Sequence, residues 1–181
     1  MATKPSKTQP IVVIVGPTAS GKSSVAIKLS KDWPVEVICA DSRTLYRGAD
    51  IGTAKPSASD LSRVKHWGLD LVEPGQRFSI YDFNQYAGKA IKDITSRNKI
   101  PTIVGGSGLY VDSLIYNYQL LSGYSTVLRE HLDKKSVKQL QDDILSLGHE
   151  LPADPLNKHR LLRVIEAGGR LPAKGPALSG V

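Results

Sequence analysis

The chain has 181 residues, 40% of them hydrophobic and 23% charged, a composition typical of a folded domain and not of a disordered chain. Its 24 lysines and arginines outnumber 17 acidic residues, and the net charge of +7 favours partners that carry phosphate. Cys39 is the only cysteine, which excludes a disulfide framework, and no apolar run reaches the ~18–20 residues of a membrane span or resembles a secretory signal, so we expect a cytoplasmic protein.

The first part of the chain alternates strand and helix patterns. Ile11–Val15 is wholly apolar and predicts a strand buried on both faces. Ser24–Lys31 has helical spacing, and Val35–Cys39 predicts a second strand. This strand–helix–strand order is typical of an α/β fold with a parallel sheet.

A long polar stretch, Asp41–Pro56, follows and predicts a loop; Leu69–Val72 predicts a short strand. Ser79–Asn98 is the clearest helix pattern, with a capping box at its start. Ile100–Val104 predicts another buried strand, and Leu109–Ile115 a short helix.

The composition changes near Asn117. Thr126–Leu147 is charged with helical spacing and includes Ser136 as a possible cap, and Asn157–Ala167 predicts a last helix. We therefore expect a P-loop-type three-layer α/β fold with a short helical part. Its predicted segments are a flexible leader (1–9), a P-loop core (10–117), a helical insertion (118–153), a basic helix returning to the core (154–169) and a disordered tail (170–181).

A phosphate-binding motif lies between the first strand and helix. Gly16–Ser23 reads GPTASGKS and matches G-x-x-x-x-G-K-[ST] in the required structural context. Backbone N–H groups at the helix start attract phosphate, Lys22 adds a cation, and Ser23 can bind Mg²⁺. The motif indicates a phosphate compound without saying which one.

Asp41 follows the second strand, at the sheet edge where ligands of open α/β folds collect. It could accept a proton or help to hold Mg²⁺, and a turn or helix cap is an equally good interpretation. Ile100–Val104 ends in Gly105-Gly106-Ser107-Gly108 instead of a metal-binding carboxylate, which favours group transfer over motor-type ATP hydrolysis.

The last helix carries a basic cluster that includes His159, Arg160 and Arg163. These residues could contact phosphate or nucleic acid. A solvated face on which Arg163 pairs with Glu166 is the favoured interpretation from the residues alone. His66 could be a site residue, and packing is the favoured interpretation for it.

Several stretches together resemble the tRNA dimethylallyltransferase family. They occur in the family's order and read GPTASGKS at 16–23, ADSRTLY at 40–46, RGADIGTAKP at 47–56 and VGGSGLY at 104–110. DPLNKHRLLRVIEAGG at 154–169 is more weakly similar to the family's helix with paired arginines. The strong resemblance covers roughly residues 10–117.

The resemblance implies transfer of a dimethylallyl group from dimethylallyl diphosphate to the exocyclic amine of the tRNA adenosine next to the anticodon, with Mg²⁺. It implies that Asp41 is the general base, assisted by Lys22 and Thr18. It implies that the diphosphate is bound by Gly16, Pro17, Thr18, Ala19, Ser20, Gly21, Lys22 and Ser23, with Ser23 as metal ligand. The implied tRNA contacts are Asp41, Ser42, Arg43, Thr44, Ser107, His159, Arg160 and Arg163.

Family members are usually longer, so we expect that a C-terminal part is missing and that the chain is a monomer unless a partner supplies that part. The helical region is also short for the part that grips tRNA. Three alternatives stay open: prenyl transfer to free adenine nucleotides, a small P-loop kinase, and a non-catalytic phosphate- or RNA-binding remnant.

Overall fold

A computed structural model describes residues 10–118, 120, 126–169, 175 and 177. Their contacts form two compact units, the first including residues 10–118 and the second including residues 126–169. The predicted leader and most of the predicted tail lie outside the described residues, and the five predicted segment boundaries stay predictions. Within the described ranges, no helix is both long and apolar enough to cross a bilayer.

The first unit is built on a parallel sheet of four strands in the order β1-β4-β2-β3. The strands are β1 (Val12–Val15), β2 (Val35–Cys39), β3 (His66–Trp67) and β4 (Ile100–Gly105). Because all the pairings are parallel, the carboxyl ends of β1, β2 and β4 lie at one edge of the sheet. The structure confirms the predicted α/β fold.

Three helices connect these strands, α1 (Lys22–Leu29), α2 (Ala58–Arg63) and α3 (Ile80–Ser96), and α4 (Gly108–Ile115) follows β4. The predicted capping box of α3 is confirmed, since Ser79 Oγ accepts from the Asp82 N–H and the Asp82 carboxylate accepts from the Ser79 N–H.

The alternation of side chains along β2 separates two helical layers. Val37 and Cys39 belong to a core cluster with Ala26 and Ile27 of α1. Ile38 points to the opposite face, where α3 packs on β2 and β4. The sheet therefore lies between two layers of helix, as the predicted three-layer fold requires.

Two strand predictions need correction. Ile11–Val15 was expected to be buried on both faces, but β1 is an edge strand whose side chains are half-buried and whose last residue, Val15, is exposed. Leu69–Val72 was expected to be a strand, but the edge strand is His66–Trp67, and Val72 makes only an isolated bridge to Tyr46. An apolar run does not show which strand occupies the edge of a sheet.

An ion cluster occupies the opposite end of β2 from its carboxyl terminus. The carboxylate of Glu36 is buried and accepts from Arg97 at 2.5 and 2.7 Å, from Lys99 at 2.8 Å and from Trp67 Nε1 at 2.8 Å. The hydrogen bonds from Arg97 outweigh burial and, with those from Lys99 and Trp67, lower the pKa of Glu36 to about 2. The cluster ties β2, β3 and α3 together.

The second unit contains three helices, α5 (Thr126–Asp133), α6 (Val137–Ser146) and α7 (Lys158–Glu166). The helical stretch predicted over Thr126–Leu147 is two helices, and the predicted cap is confirmed, since Ser136 forms a capping box with Gln139 at the start of α6. Within this unit the last helix, α7, packs against α5 and α6. The core residues of the unit are Leu132, Leu140, Ile144, Leu161, Leu162 and Val164.

Candidate functional site

The predicted phosphate loop joins β1 to α1. Gly21 precedes the helix with a φ of 82°, in the left-handed region that glycine adopts without strain, and Ala19 has a φ of 63°. Gly21 has no side chain to cap the helix, so no side-chain cap bond uses the N–H groups of the first turn, whose residues Lys22, Ser23 and Ser24 line a cavity. These N–H groups and the helix dipole make the loop suitable for an anion.

Lys22 bends back over this loop. Its Nζ donates to the carbonyl oxygen of Pro17 at 2.6 Å, and the glycine at position 106 keeps space open close to the ammonium group. The cation is thus held at the mouth of the loop, at the place where a phosphate oxygen would replace the carbonyl as its acceptor.

A cavity of about 290 Å³ lies beside the loop. The residues from Thr18 to Ser24 give it a polar side, and Val37, Cys39 and Val104 give it an apolar wall. Burial, and after it the charge of Asp41, raises the pKa of Cys39 to about 12, so the thiol stays protonated as part of this wall. We call this space the donor cavity.

Asp41 borders the donor cavity and a second space of about 480 Å³. Its Oδ1 accepts from the Arg43 N–H at 2.9 Å, and its carbonyl oxygen accepts from Thr44 Oγ1 at 3.4 Å. These bonds form a local turn, which agrees with the interpretation of Asp41 as a turn residue. The half-buried carboxylate nevertheless lies in the wall of both spaces.

The second space, which we call the acceptor cavity, contains most of the predicted tRNA contacts of the first unit. The Ser42 N–H donates to Ser107 Oγ at 3.1 Å, which brings the loops after β2 and β4 together. Thr44 lines the donor cavity instead. The acceptor cavity is lined by Pro17, Thr18, Asp41, Ser42, Arg43, Gly52, Thr53, Ala54, Gly106 and Ser107.

Close packing at the end of β4 places these loops. A Cβ at Gly105 would overlap the carbonyl group of Ala40, and the Ser107 N–H donates to that same carbonyl oxygen at 3.3 Å. Gly105, the first glycine after Val104, therefore lets two backbones approach each other, and the close approach of a ligand to this run stays a prediction.

Sequence reasoning missed part of the wall of the site. Thr53, Ala54 and Pro56 line the donor cavity, and the signal that could have located them is the RGADIGTAKP stretch itself. His66, interpreted as a packing residue, also lines this cavity. Its Nδ1 lies 2.8 Å from the carbonyl oxygen of Val64, which can only accept, so Nδ1 carries the proton; burial lowers the pKa of the ring.

The predicted basic residues of α7 belong to the second unit. Arg160 and Arg163 are exposed, and neither guanidinium forms an ion pair with any residue that the structure describes. Glu166, the expected partner of Arg163, is bound at 2.9 Å by Arg129, so that pairing was wrong. His159 Nδ1 lies 3.3 Å from the same arginine. The two exposed arginines are free to meet an anionic partner.

Few side chains near the donor cavity could bind a metal ion. Over the described ranges, no three histidine, cysteine or acidic side chains come together as a metal cage. Ser23 and Asp41 both line the donor cavity, and one or two protein oxygens suit Mg²⁺, which takes its other ligands from phosphate and water. The predicted ligand Ser23 therefore fits a metal that arrives with a diphosphate.

Comparison with known proteins shows what the chain is similar to. The profile of the IPP transferase family matches residues 44–173. The chain is 40% identical over 167 residues to a tRNA dimethylallyltransferase of Staphylococcus epidermidis, covering 86% of the chain and 50% of that protein. It is 40% identical over 158 residues to one of Anoxybacillus flavithermus, covering 87% and 50%. The chain thus spans about half the length of these relatives.

Solved structures agree on the fold. The crystal structure of a tRNA isopentenylpyrophosphate transferase from Bacillus halodurans matches with a TM-score of 0.61 and 34% identity, over 88% of this chain and 55% of that one. A eukaryotic dimethylallyltransferase described as acting on tRNA matches with a TM-score of 0.70 at 23% identity, over 90% and 43%.

Proposed function

The chain belongs to the IPP transferase family, and from that premise we propose that it transfers a dimethylallyl group from dimethylallyl diphosphate to tRNA. The acceptor that we propose is the exocyclic amine of the adenosine next to the anticodon. The proposal depends on one observation: the carboxylate of Asp41 borders both the donor cavity and the acceptor cavity.

The donor cavity suits an allylic diphosphate. The residues from Gly16 to Ser23 offer N–H groups and the ammonium of Lys22 to the diphosphate. The apolar wall of Val37, Cys39 and Val104 offers a dry surface to a short hydrocarbon tail. An apolar wall suits a hydrocarbon tail better than a nucleoside, which makes a kinase the weaker alternative.

The acceptor cavity suits a nucleobase that is flipped out of its stacked position. Chemistry on a nucleobase requires that the base be flipped into a pocket. Ser42, Arg43 and Ser107 provide polar groups at this cavity, and the exposed arginines of α7, Arg160 and Arg163, provide positive charge for phosphates. We propose these residues, with Thr44 and His159, as tRNA contacts.

The reaction is a substitution at the allylic carbon. The amine nitrogen forms a bond to that carbon as the carbon–oxygen bond to diphosphate breaks, and the oxygen leaves with the electron pair. The amine proton passes to the Asp41 carboxylate. Lys22, Thr18 and the loop N–H groups stabilise the charge of the departing diphosphate. Ser23 would hold Mg²⁺, and the metal would supply further neutralisation of that charge.

Incubation of the chain with labelled dimethylallyl diphosphate and unmodified tRNA tests the proposal. We expect prenylated adenosine and one diphosphate for each transfer. A parallel reaction with adenosine monophosphate tests the free-nucleotide alternative, and one with labelled ATP tests the kinase. Donor or RNA binding with no product at saturating substrate would overturn the proposal for this chain and favour a binding module.

A further inference from the structure

Lys55 carries a buried ammonium group that the proposed reaction does not use. Its side chain is 6% exposed, and its Nζ donates to the Tyr46 carbonyl at 2.6 Å, to Asp50 at 2.8 Å and to Asp70 at 2.6 Å. An ammonium group has three protons, and three acceptors use all of them. Lys55 therefore has no proton left for a phosphate, although a lysine in a basic protein would ordinarily be taken for a phosphate ligand.

The three acceptors come from separate parts of the chain. Tyr46 ends the turn after Asp41, Asp50 begins the segment Asp50–Pro56, and Asp70 follows β3. A backbone bond joins two of these parts, since the Leu71 N–H donates to the Leu45 carbonyl at 2.7 Å. Within the segment Asp50–Pro56, the Lys55 N–H donates to the Asp50 carbonyl at 3.2 Å. The ammonium lies between the carboxylates of Asp50 and Asp70, which would otherwise repel each other. Arg47 also reaches this junction, since its Nε donates to the Asp70 carbonyl at 3.0 Å.

The segment that Lys55 holds forms a wall of the site. Thr53 and Ala54 line both the donor and the acceptor cavities, and Pro56 lines the donor cavity. Ala54 has a φ of 51°, a left-handed conformation that a non-glycine residue keeps only where its surroundings hold it. The Ala54 N–H donates to the Ile51 carbonyl at 3.2 Å, which closes a turn within the segment.

We propose that Lys55 is a positioning residue that fixes the segment Asp50–Pro56 as the shared wall of the donor and acceptor cavities. This inference rests on the proposed prenyl transfer. Lys55 makes no hydrogen bond to the phosphate loop. We therefore expect it to influence how the allyl group and the acceptor are placed, and not the affinity for the diphosphate. Burial alone would lower the pKa of Lys55, but its hydrogen bonds to Asp50 and Asp70 and the charges of these carboxylates together raise it, which keeps the group charged.

Lys55→Met removes the ammonium and keeps most of the apolar side chain. We expect kcat for transfer to fall by about tenfold to 100-fold, because a wall displaced by about 1 Å misplaces the reacting atoms. The affinity for inorganic diphosphate should change by less than about twofold, since the loop is untouched. Lys89→Met on the exposed face of α3 is the matched control and should leave both quantities unchanged.

Rescue separates a role of the charge from a role of the side-chain volume. Lys55→Cys treated with 2-bromoethylamine regains an ammonium at nearly the length of lysine. A cavity of about 570 Å³ lined by Lys55 gives the reagent access. Cys39 is buried, and burial raises the pKa of its thiol to about 12, so we expect no alkylation there, and the treated wild type checks this. We expect the alkylated variant to recover kcat to within about threefold of the wild type.

A wild-type kcat in Lys55→Met, or no recovery on alkylation, would overturn the proposal. So would a parallel loss of kcat and diphosphate affinity, which indicates a general loss of folding. If the wild type itself forms no product, the proposed function fails for this chain, and hydrogen exchange then decides the role of Lys55. The amides of Ala54 and Lys55 should exchange at least about tenfold faster in Lys55→Met than in the wild type, and equal rates would reject the positioning role.

Discussion

Ser107 Oγ accepts a hydrogen bond from the Ser42 N–H at 3.1 Å, and this bond joins the loop after β4 to the loop that carries Asp41. Ser107→Ala removes the acceptor and leaves the Ser42 N–H to water. A bond of this kind contributes about 1 kcal/mol, so we expect kcat/KM for the RNA acceptor to fall about fivefold. Steady-state transfer assays measure this, with Ser59→Ala on exposed α2 as control. An unchanged kcat/KM would show that the bond does not position the loop.

Asp41→Asn tests the carboxylate as a base. Asparagine keeps an oxygen that can accept from the Arg43 N–H, so the turn is preserved while the basic group is lost. We expect transfer to fall by about 100-fold or more, with little change in diphosphate affinity. Product formation and diphosphate titration measure the two effects separately. Equal losses of transfer and diphosphate binding would instead assign Asp41 to the metal site or to structure.

Gly105→Ala tests the close approach of β4 to Ala40. The new Cβ would overlap the Ala40 carbonyl, and backbone cannot move aside as a side chain can, so we expect a loss of about 2–3 kcal/mol in the free energy of unfolding. Gly88→Ala is the matched control. It lies within α3 with open space at its Cβ, and alanine should stabilise the helix there by about 0.5–1 kcal/mol. Urea denaturation measures both, and equal midpoints would contradict the prediction.

The Glu36 cluster predicts a dependence of stability on pH. The folded pKa of about 2 lies below the ordinary value of 4.5, so the unfolded chain takes up the proton first. The stabilisation is complete above about pH 5, is lost as the pH falls towards 2, and amounts to about 3 kcal/mol. Denaturation at a series of pH values should show Glu36→Gln less stable at pH 7 and converging with the wild type near pH 2.

Glu130→Gln on an exposed position of α5 is the control for this experiment, and it should follow the wild type to within about 0.5 kcal/mol at every pH. If Glu36→Gln keeps the full acid dependence of the wild type, the stabilising carboxylate lies elsewhere.

Local patterns predicted the elements whose signal is contained in a few neighbouring residues. Val35–Cys39 is buried along its whole length, and its predicted bounds match β2. Ser79 and Asp82 mark the start of α3 because a capping box needs only four residues. The phosphate loop was found in the same way. By contrast, α2 (Ala58–Arg63) was missed, because it has no buried residue and therefore no apolar period.

Features that depend on distant contacts could not be predicted. Glu36 was visible within an apolar strand, but its partners Arg97 and Lys99 lie more than 60 residues away in the chain. The buried environment of Lys55 is hidden for the same reason, since Asp70 joins it from beyond β3. The pairing of Arg129 with Glu166 displaced the local partner that helix spacing suggested.

Strand β2 lies between the ion cluster of Glu36 and the candidate site at Asp41. β2 begins at the ion cluster of Glu36 and leads directly to Asp41, five residues later, a span of about 16 Å. Side chains this far apart with no shared partner contribute additively. We therefore expect that changes to the charges at the first terminus of β2 alter heat resistance and leave the turnover that we propose for Asp41, at the other terminus, open to independent selection.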